Sequence, residues 1–186
     1  MCKKYPEHKS IDVIVSKVWI IGRSYAAAIE RRKPKANDTN DDFYLDKVGP
    51  QIMASKIDNW INEAKMSREY GKCIEVHKKV MDLFYSISGQ DKRSLASKYL
   101  HFHIKEKFYI YDTRAVSALT KLVHYLGIKR GNLLESDEYD HEYHKHYVKC
   151  IKVINSIKKI YDIRLSARQL DNLLLKISSD PTILEK

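Results

Sequence analysis

The sequence SGQDKRSLASKYLHF, residues Ser88–Phe102, combines a glycine-containing turn with the apolar spacing of a short helix. After an extended connector it is followed by FYIYDTR, residues Phe108–Arg114, in which Asp112 or Thr113 can cap the next helix. Free backbone N–H groups at a helix N-terminus attract phosphate, so the turn predicts a sequence-independent contact with a nucleic-acid backbone. The residues expected to contact phosphate are Gly89, Lys92, Arg93, Ser94 and Arg114.

Outside this stretch, apolar residues recur at helical spacing, and glycine and proline are few, 6 and 4. A polar connector, Lys33–Asp42, follows the first predicted helix. The predicted helices run from Ile11 to about Arg32, from about Phe43 to Ile61 with an interruption at Gly49-Pro50, from about Ser67 to Ser86, from Arg93 to Phe102, from Asp112 or Thr113 to Leu126, from Tyr139 to Tyr161, and onward from a cap at Ser166. We therefore expect an all-α domain of about seven to eight helices spanning 1–186, compact or divided into two small lobes with a cleft between them.

Charge is the most informative bulk property of the chain. Among 186 residues, 34 are Lys or Arg and 24 are Asp or Glu, which gives a formal net charge of +10. Such an excess attracts polyanions, so nucleic acid is the expected partner, although the charge can also serve solubility alone. With no bilayer-length apolar run, no secretory pattern and 3 scattered cysteines, we expect no membrane association and a cytoplasmic monomer.

The pattern in Ser88–Arg114 resembles the active-site hairpin of the helix-hairpin-helix DNA glycosylase superfamily, and most of all its archaeal oxoguanine glycosylase branch. The likeness covers 27 residues and depends on Gly89, Ala96, Ser97–Leu100 and Ile110–Val116. In that branch the lysine lies inside the helix, as Lys98 does here. The sequence departs from the family in three places: Gln90-Asp91-Lys92 replaces a glycine-flanked run, Ser94 stands where many members have lysine, and Tyr109 replaces a proline.

The resemblance implies a DNA glycosylase that excises a damaged or modified base and, with a suitable amine, also cleaves the strand as a lyase. Asp112 would stabilise the positive charge that develops on the sugar as the base leaves; its alternative role is ordinary N-capping. Lys98 would be the amine that forms a Schiff base; its alternative is a surface lysine on an amphipathic helix. No cofactor is expected.

A glycosylase must receive the extruded base in a pocket with aromatic walls. The expected lining residues are Trp19, Arg23, Ser24, Tyr25, Tyr111 and His101. Core packing is the alternative role for Trp19 and Tyr25. Gly22, inside the same helix, costs about 1 kcal/mol against alanine and therefore needs a packing or ligand reason.

The histidine-rich segment 140–146 lacks the spacing of a metal site, so no metal is expected. The alternative to an enzyme is a non-catalytic helical protein that binds nucleic acid or regulates another protein. In that case Asp112 is only a cap and Lys98 only a phosphate contact.

Overall fold

The computed structural model describes residues 1–30, 42–129, 136 and 138–185. Within these ranges the chain forms eight α-helices and no strand, which confirms the all-α prediction. The helices are α1 (Ile11–Ser24), α2 (Gly49–Ala54), α3 (Ile57–Met66), α4 (Tyr70–Ser88), α5 (Arg93–His103), α6 (Thr113–Tyr125), α7 (His141–Tyr161) and α8 (Ala167–Ser179). A π-helical segment, Phe43–Val48, leads into α2, and a 3-10 turn, Pro181–Leu184, follows α8. Of the predicted connector Lys33–Asp42, all but Asp42 lies outside the described residues.

Helix α1 ends at Ser24, earlier than the prediction of about Arg32. Ala26 adopts a left-handed conformation with φ of 52°, and its amide bonds to the Arg23 carbonyl. The next amide, that of Ala27, reaches back to the Gly22 carbonyl at 2.8 Å. These two bonds form a Schellman cap, in which glycine is the usual left-handed residue. Because alanine is the strongest helix former, the sequence of this segment gives no stop signal, and the predicted boundary was wrong.

Gly22 has a packing role in that turn. A Cβ atom at this position would meet the Ala28 Cα at 3.0 Å, so a larger residue would push the returning chain a few tenths of an ångström away from the helix.

The interruption predicted at Gly49-Pro50 is also wrong, because helical structure continues from Phe43 through Ala54. Pro50 lies in the first turn of α2, where a missing N–H group is tolerated. A Cβ at Gly49 would lie 2.6 Å from the Ile11 side chain, so glycine allows a close approach to α1. The break falls instead at Ser55, whose extended backbone separates α2 from α3.

Other helix ends agree with the predictions. The Asp112 carboxylate accepts a bond from the Ala115 amide at 2.9 Å and caps α6. Ser166 forms a capping box with Gln169 at the start of α8. Gly89 ends α4 and Gly127 follows α6, both with positive φ.

The buried apolar residues form two clusters. The first contains residues from each of the five helices α1 through α5 and includes Phe84, Tyr99 and Phe108. The second joins α6, α8 and the C-terminal half of α7. Helix α7 belongs to both, since Tyr143 packs in the first cluster and Val153 in the second. Tyr109, in the connector between α5 and α6, packs against both clusters as well. None of the helices in the described ranges combines the length and apolarity needed to cross a membrane.

Candidate active site

A cavity of about 590 Å³ lies beside this connector. Four segments line it: the turn Tyr25–Ala28 after α1, the hairpin residues 90–92, the first two turns of α5, and Tyr111–Arg114 at the start of α6. Segments far apart in sequence thus converge on one concave surface. A volume in this range is typical of small-molecule and cofactor sites.

Lys98 and Asp112 meet in this cavity. The Lys98 amine (Nζ) lies 3.0 Å from the carboxylate oxygen Oδ2 of Asp112. The lysine side chain is 2% exposed and the aspartate 22%, so only the carboxylate has appreciable contact with solvent. The sequence proposed both residues, and the fold brings them together.

The Asp112 carboxylate has two distinct partners, because Oδ1 accepts the Ala115 amide of α6 and Oδ2 faces Lys98. Burial by itself raises the pKa of this carboxyl group. The Ala115 amide, the Lys98 ammonium and the nearby Arg114 outweigh burial and hold the pKa of Asp112 below its ordinary value. The group is consequently a carboxylate throughout the neutral range, which is the form needed to stabilise a developing cation.

Lys98 donates to two further acceptors. Its amine lies 3.0 Å from the Tyr25 carbonyl and 3.0 Å from the Ser94 hydroxyl oxygen. Three oxygen atoms therefore hold the amine in one orientation within the cavity wall. A fixed amine beside a carboxylate is arranged for nucleophilic or acid–base chemistry.

Two tyrosines supply the aromatic part of the cavity. Tyr25 packs on Phe102, with ring centroids 5.0 Å apart. Tyr111 is tied to α5 through its amide, which donates to the Ser97 hydroxyl oxygen at 3.0 Å. The small residues Ala26–Ala28 also line the cavity. Aromatic faces with small neighbours leave room for a flat ring to stack.

The predicted phosphate contacts occupy different environments. Ser94 and Arg114 line the cavity, and Arg114 is exposed to solvent. Lys92 also lines it but is 8% exposed, with its amine 3.2 Å from the Gln90 side-chain oxygen. Gly89 lies at the C-terminal end of α4, where its role is conformational.

Arg93 does not line the cavity and is instead ion-paired with Asp140. The positive charge of this predicted phosphate contact is thus paired with a buried carboxylate.

Four of the residues predicted to line a base pocket lie outside the cavity. Trp19 is 49% exposed, so it neither lines the cavity nor packs in the core. Arg23 is also exposed and pairs with Glu30 at 2.5 Å, and Ser24 is exposed beside it. Because α1 ends at Ser24, only the residues that follow turn towards the cavity.

His101, the fourth, is fully buried on another face of α5. Its Nδ1 atom lies 2.7 Å from the Phe108 carbonyl, to which it donates, and burial lowers the pKa of the ring. The residue therefore stabilises the connector after α5.

Sequence reasoning missed two parts of the cavity wall. Gln90 and Asp91 belong to the hairpin and were noted only as departures from a family pattern. The Ala26–Ala28 wall was assigned to a helix. No local signal marks the Ala26–Ala28 wall, because its place depends on the turn at Ala26.

Within the described ranges, no group of three or more His, Cys, Asp or Glu residues is arranged to hold a metal ion. The densest histidine segment is used for packing: His146 donates to the Ile110 carbonyl at 2.9 Å, and His77 stacks on Tyr143.

Comparison of the chain with protein-family models, with curated proteins and with solved structures finds no match.

Proposed function

We propose that this protein is a DNA glycosylase that removes a damaged or modified base, with Lys98 and Asp112 as its catalytic residues. The observation that carries the proposal is the 3.0 Å approach of a buried lysine amine to a capping carboxylate inside a cavity with two tyrosine walls. The resemblance of Ser88–Arg114 to the hairpin of DNA glycosylases also supports this proposed function.

The reaction breaks the bond between C1′ of deoxyribose and the base nitrogen, and the base leaves with the bonding electrons. The Asp112 carboxylate stabilises the resulting sugar cation. In the hydrolytic route water adds to C1′ and its proton passes to the departing base. In the lyase route the Lys98 ammonium gives one proton to the departing base, and the resulting amine adds to C1′. A second N–H proton then passes to the ring oxygen O4′ as the sugar opens, which leaves a protonated imine. Elimination moves the C2′ proton to water and expels the 3′ phosphate, which cuts the strand on the 3′ side.

Access for DNA is supported by charge. The chain carries a net charge of +10, and Arg114 stands exposed beside Asp112. The N-terminus of α5 borders the cavity as well, and its dipole favours an anion there. A phosphate held at this rim would bring the attached sugar towards the carboxylate.

The second candidate is a non-catalytic nucleic-acid-binding protein. One observation favours it: every partner of the Lys98–Asp112 pair is one that a purely structural ion pair would also use, namely a helix cap, a carbonyl and a hydroxyl. The two candidates predict the same affinity for DNA and differ only in turnover.

The deciding assay incubates the protein with duplexes that each carry one lesion and a matched undamaged duplex, and scores abasic sites and strand nicks. We expect release of at least one modified base and a covalent adduct with that duplex when borohydride reduces the imine. Lys98→Gln should abolish the adduct. Binding of every duplex without base release or adduct would favour the non-catalytic protein.

A further inference from the structure

Arg93, the first residue of α5, makes contacts unlike those of an arginine that binds phosphate. Its guanidinium donates through Nε to Asp140 Oδ2, 47 positions further along the chain. The Asp140 side chain is only 4% exposed and that of Arg93 is 26% exposed. The pair therefore joins the start of α5 to the residue that precedes α7.

A neutral histidine completes this contact. The His77 ring is fully buried, and burial lowers its pKa to about 3. Its Nε2–H donates to the Arg93 carbonyl at 3.3 Å, which leaves Nδ1 as an unprotonated nitrogen 3.9 Å from Asp140. Because His77 is uncharged, Arg93 is the cation that balances Asp140 among the residues the structure describes.

The same guanidinium lies against the cavity wall. Its central carbon is 5.7 Å from the centroid of the Tyr111 ring, within the range of a cation–π contact. On other sides Tyr111 meets His146, at 5.2 Å between ring centroids, and Tyr143, at 6.4 Å. Tyr111 in turn immediately precedes Asp112. Arg93 thus stands behind the aromatic wall and one residue away from the candidate catalytic carboxylate.

We propose that Arg93 and Asp140 form a positioning clamp that holds the Tyr111 wall, and with it Asp112, in place against Lys98, and that Arg93 makes no contact with DNA phosphate. The catalytic part of this inference rests on the proposed glycosylase function. Its structural part, the clamp on Tyr111, does not.

The test uses the double variant Arg93→Gln/Asp140→Asn, which removes one charge of each sign and leaves the net charge unchanged. A matched control, Arg168→Gln/Asp171→Asn, removes a second arginine–aspartate pair whose carboxylate is 7% exposed. Arg114→Gln serves as the reference for loss of a phosphate contact. All variants are full-length chains, compared at a temperature where each is folded by circular dichroism.

The first readout is the salt dependence of binding to an undamaged duplex. We expect the double variant to keep the wild-type slope of log K against log salt concentration, whereas Arg114→Gln should lower the slope by about 0.9. A fall of about 0.9 in the double variant would overturn the proposal, because it would place Arg93 on a phosphate.

The second readout is nitration of Tyr111 by tetranitromethane, mapped by peptide mass spectrometry. Tyr125, which is 48% exposed, gives the internal reference. Release of the clamp should raise Tyr111 nitration relative to Tyr125 by about threefold or more, and the control pair should leave it unchanged. Equal nitration in the double variant and wild type would also overturn the proposal.

The third readout is the single-turnover rate of base release on a lesion that the wild-type protein excises in the deciding assay. We expect it to fall about tenfold or more in the double variant, with the Kd for the duplex within about twofold of wild type. An unchanged rate would remove the catalytic part of the inference. If the wild-type protein releases no base from any lesion, the proposed function fails, and the salt slope and Tyr111 nitration still decide the clamp.

Discussion

Two neighbouring residues of α5, Lys98 and Tyr99, belong to two polar groups that look alike in composition and differ in surroundings. Lys98 pairs with Asp112 at the cavity. Tyr99 donates its hydroxyl to His8 Nε2 at 2.7 Å, and His8 in turn donates from Nδ1 to Asp58 at 2.5 Å. Each group contains an aspartate and a potential proton carrier.

The difference lies in what a ligand can reach. His8 and Tyr99 are almost completely buried, and neither lines the cavity. Burial lowers the pKa of His8 and raises that of Tyr99 well above its ordinary value, so both stay neutral and hydrogen-bonded. This second group ties the N-terminal segment to α3 and α5. The two polar groups of α5 therefore differ in role according to the helix face that they occupy. The Lys98 group belongs to the candidate site, and the Tyr99 group is a structural brace.

The largest expected effect is a difference in the rate of base release between variants of Asp112 and of Asp58. Asp112→Asn keeps an N-cap, since asparagine caps as well as aspartate, but removes the charge that stabilises the sugar cation in the proposed reaction. We expect base release to slow by at least about 100-fold. Asp58→Asn, the matched control, should leave the rate within about twofold of wild type. Single-turnover assays on one lesion duplex measure both, and equal rates for the two variants would erase the distinction between site and brace.

A smaller effect concerns pH and His103, whose ring stacks on His8 with centroids 5.2 Å apart. Burial, with help from Lys17 and His8, lowers the pKa of His103 from 6.5 to about 3. Below pH 6.5 the unfolded chain binds a proton that the native ring does not, so the stability from this group is complete above that pH and is lost as the pH falls towards 3.

Replacing this ring tests the sign. When the pH falls from 6.5 to 5, the free energy of unfolding should decrease in both proteins. The decrease should be about 2 kcal/mol smaller for His103→Phe than for the wild type. Urea unfolding at the two pH values gives both differences. An identical loss in the variant would show that His103 titrates normally in the native protein.

The smallest expected effect comes from the hydroxyl of Tyr99. Tyr99→Phe leaves the ring in place and deprives His8 Nε2 of its donor, which should lower the free energy of unfolding by about 1 kcal/mol. Base release should stay within about twofold of wild type, because the hydroxyl lies away from the cavity. A slower rate of base release in Tyr99→Phe would show that the structural brace affects the candidate site, and the two groups could then not be treated as separate.

Local sequence predicted much of the fold because helix periodicity and caps are local properties. Asp112, Ser166, Gly89 and Gly127 act at helix ends as their residue types indicate. The end of α1 escaped prediction, because Ala26 takes the left-handed place that glycine usually fills. Tertiary packing decides this boundary, and the helix propensity of alanine alone predicts the wrong one.

The candidate site, like the fold, was only partly predictable from the sequence. Lys98 and Asp112 were named from a pattern of 27 residues, since both lie within one hairpin and its connector. Trp19, Arg23, Ser24 and His101 were grouped with them on residue type alone and lie outside the cavity. Side-chain type says what a residue can do, whereas exposure and direction depend on which helix face packs inward.

The sequence by itself determined the helical class, most helix ends and the net charge of +10, and it proposed Lys98 and Asp112 as candidate site residues. Only the tertiary structure decided that Tyr25, 73 positions away, supplies a carbonyl to Lys98, and that Arg93 is committed to Asp140. Such contacts join residues distant in the chain, and they form only when both apolar clusters are packed. Residue type limits which side chains could react, and packing decides which of them a ligand can reach.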